Sequence, residues 1–378
     1  MSKNILILSL FLLLTITLSL KKSCTDNVVN IYGWYGIINR EILNGFEKET
    51  GIKVVYDVYD NNDTLEAKLL ATNSGYDIIF PSFIPYAARQ QKMGVYSKLN
   101  KNLVSNLHNI DGIITEKYVF AGGNLDYLLP IFWGTTGIAY NESVVSSIFS
   151  GEEIDSYDIL LDPEKIKKIA KYGVSFPEEY IDIFPQTEAF LGIGRHKDVN
   201  NIAKYLEFFK KIRKYIKKFS SSTMIHDLIS GEIAIAIGSS DNAWRAMKSG
   251  KNVGKNIIYT IPQNYGVIWI DCVGIPQKAP HKKNACKFLE YILRPEIAAK
   301  ITNSSGILVN IPTASKFFCE EIRKNRHIFP TGHDFLDSLM IGSPSKNMYE
   351  IQYDKAATRT WSQIKMNRFA HDGDGAAK

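Results

Sequence analysis

The chain is short of cysteine, of enzyme signatures and of long apolar runs, and each shortage removes a class of function. Four cysteines occur in 378 residues. Cys272, Cys286 and Cys319 form no CxxC pair and no His/Cys group, which argues against a zinc or redox centre and leaves most of them expected as buried free thiols. The seven histidines, among them His108, His196, His226, His281 and His333, are scattered without ligand spacing. HExxH, GxSxG, P-loop and GxGxxG patterns are missing, so the reading is of a protein that is not an enzyme and needs no cofactor or metal. Asp372-Gly373-Asp374-Gly375 mimics part of a calcium loop but lacks its later ligands. No long stretch is poor in apolar residues, which confines expected disorder to the ends.

What is present fits two cored domains. Hydrophobic residues make up 45% and charged residues 22% of the chain. The formal charge of +6 raises the question of an anionic partner. The densest basic run, Lys210 to Lys218, carries Ile202, Leu206, Phe209, Ile212 and Ile216 at helical spacing, so its lysines read as the solvated face of an amphipathic helix. No nucleic-acid recognition motif accompanies it. The amino terminus has Lys3, an apolar run from Ile5 to Leu20, and then Lys21-Lys22-Ser23-Cys24. That order is an export signal, short for a membrane span, and residues 1–24 are read as a signal peptide or an anchor. Cys24 is a candidate for lipidation, although lysines stand where a lipoprotein signal has small or apolar residues. The expected location is the periplasm, with anchoring through the amino terminus or Cys24 left open.

The early chain alternates β-α-β-α-β. Val28–Tyr32 reads as a strand ending at Gly33-Trp34-Tyr35-Gly36, residues 39–50 as a helix stopped by Gly51, and Ile52–Tyr59 as a second strand. Asn62 or Asp63 caps the next helix, and Tyr76–Phe80 is a third strand closed by Pro81-Ser82. This order predicts a parallel sheet whose ligands bind at the carboxyl ends of the strands, where Trp34 and Ser82 lie. Residues 127–141 read as an extended crossing to a second α/β segment, with Trp133 as packing. Tyr86, Arg89 and Gln90 read as helix surface. Gly266–Pro276 reads as a strand that places Trp269 and Asp271 on one face. A carboxylate in so apolar a strand is costly unless a cation or a set of donors meets it, and an indole face beside it also attracts cations. The pair reads either as half of an organic-ammonium cage or as a core Trp with a loop-capping Asp.

Tyr32-Gly33-Trp34, the run from Phe46 to Tyr56, Phe80-Pro81-Ser82, Trp133–Gly137, Trp269-Ile270-Asp271 and Leu293-Arg294-Pro295-Glu296 occur in this order. Together they resemble the periplasmic spermidine/putrescine-binding proteins of bacterial ABC importers, over about residues 28 to 365. The resemblance implies an α/β, two-domain solute-binding fold of type II, with mixed sheets flanked by helices and a ligand cleft between lobes. The lobes are expected at 27–133 with 271–312 and at 134–270 with 313–365, followed by a flexible tail at 366–378. The implied partners are a polyamine and the subunits of an inner-membrane permease, and the expected state is a monomer that binds no nucleic acid. The implied ligand residues are Trp34, Ser82, Asp182, Asn242, Trp269 and Asp271, with Glu178 or Glu179 matching a second acid and Asp241 a neighbour of Asn242. Ile37, Ile84, Ser239 and Ile307 stand where relatives tend to carry aromatics, which opens the question of the ligand and whether Tyr35 or Trp244 compensates.

Overall fold

The computed structural model describes residues 27–71, 74–110, 112–150, 154–193, 197–262, 266–332, 336, 339–341 and 348–367. The export signal, Cys24, His196, His333 and the Asp372–Gly375 motif lie outside these residues. Strand β1 (Val28–Trp34) leads to helix α1 (Arg40–Thr50) and strand β2 (Lys53–Tyr59). The Asn39 carboxamide oxygen accepts the Ile42 N–H at 3.0 Å, and Gly51 ends α1 in the left-handed region at φ 71°. Ile42, Leu43 and Phe46 form the buried stripe of this helix. Helix α2 (Asn62–Leu70) is capped by Asn61 and not by Asn62 or Asp63, because those two side chains are turned to other partners. Strand β3 is reduced to Ile78–Ile79. β1 pairs in parallel with both β2 and β3, as right-handed βαβ units require.

The fourteen residues of β4 (Leu128–Asn141) are all buried. A second α/β set follows: β5 (Val174–Phe176), α3 (Phe184–Leu191), α4 (Ile202–Ile212), β6 (Lys218–Phe219) and β7 (Ile235–Ser239). Helix α4 buries Tyr205, Phe208, Phe209 and Ile212 and leaves Lys211 in solvent, as the amphipathic reading requires. Helix α5 (Ser240–Lys251) and β8 (Ile257–Thr260) precede β9 (Val267–Gly274). Helices α6 (Lys282–Ile292) and α7 (Pro295–Ser305), β10 (Leu308–Val309), β11 (Met340–Ile341) and helix α8 (Met348–Lys365) complete the chain.

The strands join one sheet in the order β2-β1-β3-β9-β4-β7-β5-β6. Its two parallel flanks are sewn together by the antiparallel pair β9 and β4. Two apolar cores lie against it. One gathers Val29, Phe46, Ile78, Phe80 and Phe288, and the other gathers Phe176, Phe184, Phe209, Ile235 and Trp361. Three of the described cysteines are free thiols, with Cys272 and Cys286 buried. Among the described residues no helix is long and apolar enough to cross a membrane.

Two expectations fail locally. Gln90 is fully buried, donating to Glu66 at 3.0 Å and accepting from Tyr96, and Tyr86 is also buried; Arg89 alone of the three is on the surface, paired with Glu66. The cause is that the short helix after Ser82 is covered by α2 and by the strand-like passage at Tyr96. Helix α8 is absent from the sequence reading, although Tyr353, Ala357, Trp361 and Ile364 sit at helical spacing and are all buried. Trp361 packs its ring against Phe209, Phe219 and Phe184 at 5.1, 5.3 and 5.7 Å between centroids. Truncating so buried a ring leaves a cavity, so Trp361→Ala is expected to lower the unfolding free energy by about 3–5 kcal/mol in a urea titration.

Candidate functional site

The site grows from three strand ends. β1 delivers Trp34, whose ring packs on Tyr59 at 4.5 Å and whose carbonyl accepts the Tyr56 hydroxyl at 3.1 Å. The chain after β3 delivers Ser82, which bridges in antiparallel fashion to Asp271 of β9. The neighbouring Cys272 N–H donates to Pro81 at 2.8 Å and locks this junction. Ser82 occupies a helix N-cap position but makes no capping bond. Its hydroxyl donates instead to the Asp271 carboxylate at 2.7 Å. Trp269 lies two residues earlier on the same face of β9, with its ring over Gly134 of β4. A Cβ at Gly134 would collide with that ring, so the glycine makes room for the indole.

Asp271 is 6% exposed, and among the described residues it has no basic partner. Burial pushes its carboxyl up to about 7; the Ser82 hydroxyl opposes the shift, and the charge of Asp241 adds to it. The Trp34 side chain also favours the ionised form, yet its indole N–H meets no acceptor at hydrogen-bonding geometry. The Trp269 indole N–H is likewise buried without a partner. Asp271 is thus a desolvated acid held by the loop residue Ser82 and set on the same face of β9 as Trp269.

A second acidic region sits on the turn before α3. Asp182 receives a long 3.4 Å hydrogen bond from Thr136 of β4, and burial pushes it up to about 6. Glu179 is pushed up to about 7 by burial and then by the charges of Asp182 and Asp63. Asp63 accepts the Tyr86 hydroxyl at 3.0 Å. The turn is held from behind by α8: Trp361 Nε1 and Lys365 Nζ donate to the Glu178 carbonyl at 2.9 and 3.0 Å, and the Tyr180 hydroxyl donates to Asp354 at 2.9 Å. Glu178 itself is exposed, so Glu179 is the acid that this turn presents beside Asp182.

Asn242 lies in the first turn of α5, and its amide oxygen accepts Arg245 Nη2 at 2.6 Å. Arg245 also holds Asp241 at 2.8 Å. Ile37 and Ile307 are buried in the first core, whereas Ile84 and Ser239 are partly exposed. Of the two proposed substitutes, Tyr35 is exposed, and Trp244 is buried against Gly306. The structure thus brings Trp34, Ser82, Trp269 and Asp271 together, links Asp182 to the same sheet through Thr136, and occupies Asn242 with an arginine. Arg245 was not read from the sequence; its i,i+4 spacing from Asp241 was the available signal. Among the described residues no group of His, Cys, Asp and Glu is arranged to hold a metal.

The fold and the sequence together place the chain among the solute-binding proteins. Residues 41–330 match the family described as bacterial extracellular solute-binding protein, and the chain belongs to that family. It is 35% identical to the putrescine-binding periplasmic protein SpuD of Pseudomonas aeruginosa, over 92% of this chain and 94% of that one. It is 32% identical to the putrescine-binding periplasmic protein PotF of Escherichia coli, over 91% and 92% of the two chains. The fold matches that of the spermidine/putrescine ABC transporter substrate-binding protein PotD of Streptococcus pneumoniae with a TM-score of 0.75, at 23% identity, over 91% of this chain and all of that one.

Acids whose folded-state values are raised bind protons more tightly in the native than in the unfolded chain. Their contribution favours folding at low pH and is lost as pH rises from the ordinary carboxylate range through about 6 to 7. Without ligand, Asp271→Asn is expected to raise the melting temperature by about 2 °C or more near pH 8 and to change it little near pH 4, because each tenfold gain in proton affinity on folding is worth about 1.4 kcal/mol. Differential scanning calorimetry across this range checks the sign.

Proposed function

We propose that the protein is the extracytoplasmic binding component of an ABC importer and carries an aliphatic amine of the putrescine/spermidine class to an inner-membrane permease. The observation that carries this reading is the buried Asp271 carboxylate, which has a hydroxyl donor and shares its surroundings with two indoles but has no cation among the described residues. A protonated amine supplies the missing charge through charge-assisted hydrogen bonds. Trp34 and Trp269 cover the methylenes and contribute about 0.5–2 kcal/mol for each ring that faces an ammonium. Asp182, with Glu179, takes a second ammonium, and Asn242 borders the site. The relatives named for putrescine binding support the same ligand class.

In this reading residues 27–133 with 271–312 form one lobe and 134–270 with 313–365 the other, and closure around the amine makes the shape the permease engages. The protein works as a monomer in the periplasm, held through its amino terminus or a lipidated Cys24 or free after cleavage, and it catalyses no reaction. The described residues that stand where relatives carry aromatics, Ile37 and Ile307 above all, serve the core and not the ligand.

Isothermal titration with putrescine, cadaverine and spermidine is expected to show saturable binding to the wild type. Asp271→Asn is expected to weaken it by about 2 kcal/mol or more, since a desolvated ammonium then lacks its partner. Affinity is expected to rise between about pH 5 and pH 8 as Asp271, Glu179 and Asp182 ionise. Absence of heat and of thermal shift at millimolar amine overturns the proposal.

A further inference from the structure

Helix α3 buries three polar side chains in succession, Gln186, Thr187 and Glu188. Two of them are satisfied. The Thr187 hydroxyl donates to the Ile183 carbonyl at 2.9 Å, and Glu188 accepts the hydroxyls of Tyr205 and Tyr353. Gln186 is different. It is 1% exposed, and neither its amide oxygen nor its amide nitrogen has a hydrogen-bond partner among the described residues. A carboxamide buried in that state destabilises the free fold, and native chains rarely keep one without a use for it. Gln186 lies four positions after Asp182, and its side chain stands beside the hydroxyl of Tyr157, which is also in the field of Asp182. Tyr157 precedes the short helix Asp158–Leu161 and donates to the Thr136 carbonyl at 2.9 Å, while the Thr136 hydroxyl donates to Asp182. Gln186, Tyr157, Thr136 and Asp182 thus form one polar cluster at the second acidic region.

We infer that Gln186 is a further ligand-binding residue, whose amide oxygen accepts a hydrogen bond from the ammonium that Asp182 receives; the inference rests on the amine-binding reading above. The direction of the amide follows from Tyr157. The one proton of that phenol is committed to Thr136, so toward Gln186 its oxygen can only accept. The amide nitrogen, which can only donate, is the atom suited to face it. The amide oxygen then points away from Tyr157 and needs a donor. An ammonium has three N–H donors and no acceptor, and a single carboxylate oxygen does not occupy them all. Asp182 supplies the charge, and Gln186 supplies a neutral acceptor beside it without burying a further charge. A polar group left unsatisfied in the free fold is also one that gains most when a donor arrives. A water molecule held against the amide would satisfy it equally, but would leave amine affinity independent of residue 186.

Calorimetric titration with putrescine, and thermal melts without ligand, on the wild type, Gln186→Met, Asp182→Asn and the double variant test the inference. Methionine keeps the length of the side chain and removes both amide atoms. Gln186→Met is expected to melt at or above the wild-type temperature without ligand, because two unsatisfied polar atoms are gone, and to bind putrescine about tenfold more weakly. In the Asp182→Asn background the same change is expected to cost less than about threefold, since the two side chains hold one ammonium. Putrescine affinity of Gln186→Met within about threefold of the wild type overturns the inference and leaves the proposed function standing. A melting temperature below the wild type in both Gln186→Met and Gln186→Leu overturns it too, because the amide then serves the free fold. An equal cost in the two backgrounds also overturns it, because Gln186 then acts apart from Asp182. If putrescine does not bind the wild type, the amine-binding reading fails and this inference fails with it.

Discussion

A buried carboxylate that has no counter-ion among the described residues is the constraint on which the rest of this structure turns. Asp271 is buried in the sheet, and among the described residues its hydrogen-bond donor is the Ser82 hydroxyl. A folded chain tolerates such a group by keeping it protonated or by meeting it with a cation from outside. The surroundings suit the second course. Trp34 lies near the acid and Trp269 shares its face of β9, and the two indole N–H groups have no acceptor among the described residues. The free protein thus holds an acid whose ionisation opposes folding, and in the proposed reading a bound ammonium reverses that balance.

The scaffold explains why the acid can be held there. β9 and β4 run antiparallel through the middle of the sheet and join its two parallel flanks. Side chains from both flanks therefore converge on a pair of strands that cannot shift independently. Trp34 and Ser82 arrive from carboxyl ends of the first flank, and Thr136 on β4 ties in the Asp182 turn from the second. Helix α8 clamps that turn from the far side through Trp361, Lys365 and Asp354. Residues late in the chain thereby position acids met far earlier in it.

The electrostatics are graded around this centre. Asp271, Asp182 and Glu179 lack salt-bridge partners among the described residues, whereas Asp241 is neutralised by Arg245. Acids of both kinds lie within reach of one another's fields, so the site is negative but not uniformly so.

Much of the fold could be read along the chain because its signals are local. The Gly51 stop, the buried stripe of α1 and the amphipathic α4 rest on residues a few positions apart, and the strand placing Trp269 and Asp271 on one face follows from a period of two. The order of motifs carried the family. Other features depended on distant partners and stayed hidden. Ser82 reads only as a strand-end residue until β9 arrives 189 positions later to accept a hydrogen bond from its hydroxyl. Gln90 reads as surface until Tyr96 and Glu66 enclose it. Helix α5 was masked by the glycine and serines before it, so Arg245 had no face to be assigned to. The order of residues was enough to say which groups could bear charge and which elements would present them. It could not say which carboxylates receive an internal cation and which are left waiting for one. That choice belongs to the folded chain, because desolvation and ion pairing depend on distances between residues far apart in the sequence.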